Sequence, residues 1–341
     1  MTGVQRFAFE LVKNLNQLRS DITVLVPNKA RILDRSIIDK MNILEIAGGN
    51  GHYWEQAVLP KYLKSIGSPL LINLCNSAPI LYKNKISTHH DITYIRFPQS
   101  YSWKFRLFYR NFAPLFLKTS HAVITVSEFS KKDISDFYKI SPQKIHVIAN
   151  AVNESFEFKK DDNEKDKFAL AVSSPNYHKN FYRMIEAYND ADINFKIKII
   201  GSASGVFNDR SPMMNEKIDT DKIEFVGRVT DEELIALYQN AEFFIFPSLY
   251  EGFGIPPLEA QKCGCPVISS NAASLPDVLR ESTIYFDPLN VDDIKNKIEL
   301  VSSNSDIRNE LITKGLANVE RFSWIKSATK LNELINSYDT F

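Results

Sequence analysis

Apolar residues along this chain fall into two alternating patterns. Short runs of β-branched and aromatic residues alternate with longer stretches in which apolar positions recur every three or four residues. The runs read as buried parallel strands and the stretches as helices that cover them. Phe7, Leu11, Val12 and Leu15 mark a first helix, with Thr2-Gly3 directly before it. Strands are predicted at 21–27, 41–46, 70–75, 86–90, 122–126 and 145–148, and a helix at 54–64. Residues 156–167 are charged and aperiodic and read as a linker. The alternation then resumes, with strands at 168–172, 193–200, 223–226, 242–247, 266–269 and 284–286. Helices there are expected at 181–188, 231–239, 292–301 and 306–320, with a final one ending at 337. Ser127 and Thr230 stand where helix caps are expected, and Glu233 completes a capping box with Thr230. Strand–helix alternation on both sides of a linker predicts two doubly wound α/β domains.

A length of 341 residues agrees, since each half can bury its own core. Hydrophobic content of 44% and charged content of 24% are those of a globular protein, and no stretch is long and apolar enough for a spanning helix. Cys75, Cys263 and Cys265 offer neither metal spacing nor a disulfide framework, which favours a reducing cytoplasm. The net charge of zero hides a split: residues 1–155 carry +9 and residues 156–341 carry −9. A basic half beside an acidic one predicts either that the first domain meets an anion or that the halves attract each other. Within the basic half, 97–118 mixes aromatics with Lys104, Arg106, Arg110 and Lys118. Its spacing favours Phe105, Phe108 and Phe112 as core residues; the second reading is a helix lying on an anionic membrane surface. Pro114 should break or kink any helix there.

The candidate chemistry lies in 241–270, AEFFIFPSLYEGFGIPPLEAQKCGCPVISS. It reads as strand, tight loop, helix and strand, with Glu251, Gly252 and Gly254 in the loop and Pro257 and Glu259 in the first helical turn. A helix N-terminus behind a glycine-containing loop favours phosphate. Two carboxylates there would not face the phosphate and are placed to accept hydrogen bonds from hydroxyls. Phosphate with hydroxyls on both sides describes a nucleotide sugar.

Glu251 through Glu259, within PSLYEGFGIPPLEAQKCGCPVI, resembles the E-x7-E motif of the retaining glycosyltransferases of family 4. The resemblance runs from Thr2 to about Trp324, and Trp54-Glu55-Gln56 with Leu59-Pro60 is similar to a string in the mannosyl- and rhamnosyltransferase branch. It implies the GT-B fold, with two Rossmann-like domains facing a cleft. Residues 1–155, joined by a C-terminal helix 325–341, would form the acceptor domain; 156–167 the linker; 168–324 the nucleotide-sugar domain. In the family a first β-strand precedes the turn at Gly3, and none is present here.

By resemblance, Glu251 holds donor sugar hydroxyls and Glu259 the ribose. Gly252, Phe253 and Gly254 line the phosphates, Gly3 lies near them, and Arg228 stands where the base binds. His90, of His89-His90-Asp91, lines the active site, while His89 faces the other side of the sheet. Lys179 matches a diphosphate-binding lysine, but Ser173 replaces the arginine that accompanies it, leaving His178, Arg183 or Arg228 to supply that charge. The implied activity is transfer of a hexose, GDP-mannose being favoured as donor, to a glycan or lipid-linked acceptor with retention of configuration. No metal or other cofactor is expected, no nucleic acid partner, and a cytoplasmic location with attachment to the inner membrane face. The alternative is a non-catalytic nucleotide-sugar-binding partner or scaffold subunit, supported by the missing strand and by Ser173. A dehydrogenase is excluded by the lack of a G-x-G-x-x-G after a strand.

Overall fold

A computed structural model describes residues 2–29, 32, 40–159, 167–172, 176–201 and 221–338. The chain divides into two compact units, each discontinuous in sequence. The first comprises 1–92, 104–150 and 323–341; the second comprises 93–103 and 151–322.

In the first unit, helix α1 (Gly3–Leu18) buries Phe7, Leu11 and Leu15, one face at helical spacing. Thr2 caps it, reciprocally with Gln5. Strands β1 (Val24–Val26) and β2 (Ile43–Glu45) pair in parallel as a two-stranded sheet. Strands β3 (Leu71–Asn73), β4 (Lys85–Thr88), β5 (Ala122–Thr125) and β6 (Ile145–Val147) form a four-stranded parallel sheet in that order. The helix expected at 54–64 is interrupted: a π-helical turn, Trp54–Val58, precedes α2 (Leu59–Ser65). Pro60, at the second position of α2, has no N–H to donate back into the turn before it.

Helix α3 (Trp103–Thr119) corrects two expectations. It continues through Pro114, because the carbonyl deprived of a donor is that of exposed Arg110, which water can reach. Of the three phenylalanines expected in the core, only Phe112 is there; Phe105 and Phe108 are each 38% exposed. The buried stripe is instead Phe112, Ala113, Phe116 and Leu117, one turn further on. Helix α4 (Glu128–Tyr138) starts at the Ser127 cap as expected. The C-terminal helix, Trp324–Asn336, belongs to this unit and packs along α1, with Trp324 edge-on to Phe7 at 6.2 Å.

The second unit holds β7 (Phe168–Val172), β8 (Lys196–Ile200), β9 (Ile223–Gly227), β10 (Phe243–Phe246), β11 (Val267–Ser270) and β12 (Ile284–Phe286). All pair in parallel, in the order β12-β11-β10-β7-β8-β9. That order reverses between β7 and β10, so the connections leaving those two neighbouring strands depart to opposite faces and open a crevice at their carboxyl ends. Helices α5 (Phe181–Asp190), α6 (Asp231–Asn240), α7 (Ile255–Lys262), α8 (Leu275–Leu279), α9 (Val291–Ser303) and α10 (Ser305–Val319) cover the sheet. The Thr230–Glu233 capping box is formed. Phe156, placed in the linker by sequence, is fully buried and lies against Tyr238 at 6.3 Å.

Candidate functional site

The site grows from the two strands that flank the reversal. Strand β10 delivers the chain to Pro247, and the following loop ends at Gly254, whose φ of +91° suits glycine. A Cβ there would also lie 2.6 Å from Leu275 Cδ2. The loop is fastened from behind by Ser274, whose hydroxyl donates to the carbonyls of Glu251 (2.9 Å) and Phe253 (3.1 Å). Helix α7 starts at Ile255, so Glu259 is its fifth residue and lies in the second turn rather than the first. Pro256 and Pro257 also remove two of the N–H groups that a helix start would offer. An anion placed here would therefore meet the loop amides up to Ile255 and a neighbouring cation.

That cation comes from the connection after β7. A 3₁₀ turn, Tyr177–Lys179, is followed by Asn180 in the left-handed region at φ +57°. The Asn180 amide donates to the carbonyls of Pro247 (3.1 Å) and Pro288 (2.7 Å). The Leu249 N–H donates to the His178 carbonyl at 2.7 Å. These bonds join the β7 and β10 connections and set Lys179 Nζ 2.6 Å from Glu251 Oε1, with side chains 22% and 14% exposed. Burial, the largest single influence, pushes the Glu251 carboxyl up, but the Lys179 ammonium together with His178 and Ser248 outweighs it, so the group lies below its ordinary value. An ammonium and a carboxylate side by side can divide a ligand between them, the first taking an anion and the second hydroxyls.

Gly252 is buried in the loop, and Phe253 is buried with its ring edge-on against Phe322 at 5.3 Å, so the ring is core. Glu259 is 8% exposed and lies beside the Tyr238 hydroxyl; burial first, and then this carboxylate, push the Tyr238 phenol far above its ordinary range. Arg228 is exposed on the turn after β9, next to Gly227 at φ +76°. Ser173 lies outside the described residues. Among the substitutes for the missing arginine, His178 is ruled out as a charge: burial, then Lys179, depress it to about 4, so it is neutral at physiological pH. Arg183 bonds Asn180 Oδ1 at 2.8 Å and lies over the Tyr182 ring at 4.6 Å, within its own helix. Asn180, Ser274 and the bonding role of His178 were not recognised in the sequence; a Lys-Asn pair before a helix, with Asn tolerant of the left-handed region, was the available signal.

In the first unit, Gly3 opens α1, and the same helix sets Phe7 edge-on against the His90 ring at 4.8 Å. The His90 backbone N–H donates to Asn76 Oδ1 at 2.8 Å, and its Nε2 lies 3.3 Å from the Leu74 carbonyl. Burial depresses it to about 4, against a lesser raising by the Leu74 carbonyl. His89 points to the opposite face, between Phe116 and Tyr138, each 6.0 Å away. The π-helical turn supplies Glu55, whose Oε1 accepts from the Ser77 hydroxyl at 2.9 Å just beyond β3.

Comparison with known proteins follows these two units. Residues 1–156 match the family described as Glycosyltransferase Family 4, and residues 152–317 match Glycosyl transferases group 1. The serotype-specific mannosyltransferase WbdA of Escherichia coli is 29% identical over 241 residues, 66% of this chain and 29% of WbdA. The O-antigen chain mannosyltransferase RfbU of Salmonella typhimurium is 30% identical over 236 residues, 69% of this chain and 65% of RfbU. The chain thus spans under a third of the one relative and just under two thirds of the other. Among solved structures, a glycosyltransferase from Rickettsia africae superposes with a TM-score of 0.74 at 19% identity, covering 99% of this chain and 95% of its own. HepE of Anabaena, solved with UDP and glucose, gives 0.75 at 14% identity, covering 98% and 96%. These likenesses bear out the fold expected from sequence, two parallel α/β units of GT-B type.

Proposed function

The chain belongs to the family 4 glycosyltransferases of GT-B fold, and from that premise we propose that it transfers mannose from GDP-mannose to a glycan or lipid-linked acceptor, with retention, in surface polysaccharide synthesis. The mannosyltransferase relatives support the sugar. The observation that carries the reading is the Lys179–Glu251 pair at the carboxyl ends of β7 and β10. A diphosphate draws Lys179 to itself and meets the amides of Gly252–Gly254; Glu251, released from the lysine, accepts sugar hydroxyls, and Glu259 serves the ribose. In the reaction the bond from the sugar's anomeric carbon to the phosphate oxygen breaks. The acceptor oxygen bonds to that carbon on the same face, and the acceptor's proton passes to the departing phosphate oxygen. Lys179 and the loop amides stabilise the charge that develops on the nucleoside diphosphate. Gly3 and His90 are proposed as sugar-side groups of the first unit and Arg228 as a base-side group of the second.

Release of nucleoside diphosphate from GDP-mannose, set against UDP- and dTDP-sugars, tests this. GDP-mannose should be turned over fastest, and Glu251→Ala should lower turnover by about a hundredfold, the scale of misplacing a reacting group by about an ångström. Binding without turnover in the parent would favour the scaffold reading instead.

A further inference from the structure

Residues 93–103 run from beyond β4 to the first residue of α3, elements that otherwise belong to the first unit, yet they fold into the second. They form a knob of consecutive tight turns. The Phe97 N–H donates to the Thr93 carbonyl (2.7 Å), the Ser100 N–H to the Phe97 carbonyl (3.0 Å), and the Tyr101 N–H to the Pro98 carbonyl (3.2 Å). The knob holds the two residues that directly precede the ion-pair partners. His178, before Lys179, donates its backbone N–H to Ser100 Oγ at 3.3 Å and sets its Nδ1 2.9 Å from the same oxygen. Its ring lies parallel to that of Tyr101, 6.5 Å away, and 6.4 Å from that of Phe97. Tyr250, before Glu251, packs against Phe97 at 5.9 Å. Both His178 and Tyr250 are buried.

Ser100 Oγ serves both groups of His178 at once: it accepts from the backbone N–H and shares a hydrogen bond with Nδ1, as acceptor or donor according to the imidazole tautomer.

We propose that Ser100, with Phe97 and Tyr101, is a positioning element for the donor diphosphate: through His178 and Tyr250 it fixes the separation of Lys179 and Glu251. This rests on the reading of that pair as the donor site.

The test is titration calorimetry of GDP, UDP, dTDP and GDP-mannose on the whole chain, in the parent, Ser100→Ala, Ser100→Thr, Lys179→Ala and the Ser100→Ala/Lys179→Ala double variant. Ser100→Ala should weaken the best ligand by about tenfold, the scale of one lost buried hydrogen bond, and Ser100→Thr should restore it. On the Lys179→Ala background Ser100→Ala should add less than about twofold, since coupled residues do not add. A purely structural serine would weaken both backgrounds alike, which overturns the proposal, as does parent-like binding in Ser100→Ala. If Ser100→Ala does not fold, Phe97→Leu, which removes the ring against His178 and Tyr250, is judged by the same two criteria. A parent that binds none of the four ligands overturns the donor-site reading itself.

Discussion

Glu251 stands in a loop with Lys179 at 2.6 Å, whereas Glu259 sits a turn into α7 beside the Tyr238 hydroxyl. The two glutamates should therefore fail differently. If Glu259 holds the ribose, Glu259→Ala should weaken GDP and GDP-mannose alike by about tenfold or more, the worth of a charge-assisted hydrogen bond. Unchanged affinity for free GDP in calorimetry would remove Glu259 from the site. Gly254→Ala should lower the melting temperature and the turnover together, because a Cβ must be fitted both at φ +91° and against Leu275. Parent-like melting would show that the loop relaxes freely. The residues from 251 to 259 were legible because they lie within one strand–loop–helix, where type and spacing carry the chemistry. The pairing of Lys179 with Glu251 was not: it depends on β7 and β10 being neighbours, 72 positions apart in sequence. Nor was Ser100, which acts from a segment whose flanking elements belong to the other unit.

At the scale of elements, periodicity located the strands and most helices but misjudged α3. Helical spacing identifies a stripe without saying which of two adjacent stripes faces the core, and the structure buries Phe112 and Phe116 while leaving Trp103, Leu107 and Leu115 at 62%, 56% and 49% exposure. Exposed aromatics interleaved with Lys104, Arg106, Arg110 and Lys118 suit an anionic lipid surface. No described helix is long and apolar enough to cross a membrane, so attachment would be at the surface. Cosedimentation with vesicles containing anionic lipid should be measurable at low salt and fall as salt rises. Changing Lys104, Arg106 and Arg110 together to Glu should abolish it while release of GDP from GDP-mannose continues. Absence of binding by the parent at low salt would end the membrane proposal.

For the whole molecule, three buried histidines set the acid limit. Burial depresses His89 to about 3, and His90 and His178 to about 4, from an ordinary 6.5. The unfolded chain therefore takes up protons between pH 6.5 and about 4 that the folded chain refuses, and stability falls as pH drops through that window. Each group contributes a slope of about 1.4 kcal/mol per pH unit. Urea unfolding between pH 7 and pH 4.5 should show the loss, and His178→Gln should reduce its slope by about one proton; a flat profile would mean that these rings are protonated in the fold.

The packing of α1 on the C-terminal helix has a further consequence during synthesis. Arg19 bonds Asn332, 313 residues away, and Phe7 meets Trp324. The ribosome makes α1 long before the C-terminal helix, so the part of its apolar face that meets Trp324 waits uncovered while the second unit is translated, although Phe7 already has His90 beside it. Nascent chains halted before residue 323 should expose this face, bind chaperones that hold apolar surface, and resist proteolysis only in their second unit. The first unit, though it begins first, is the last to be completed.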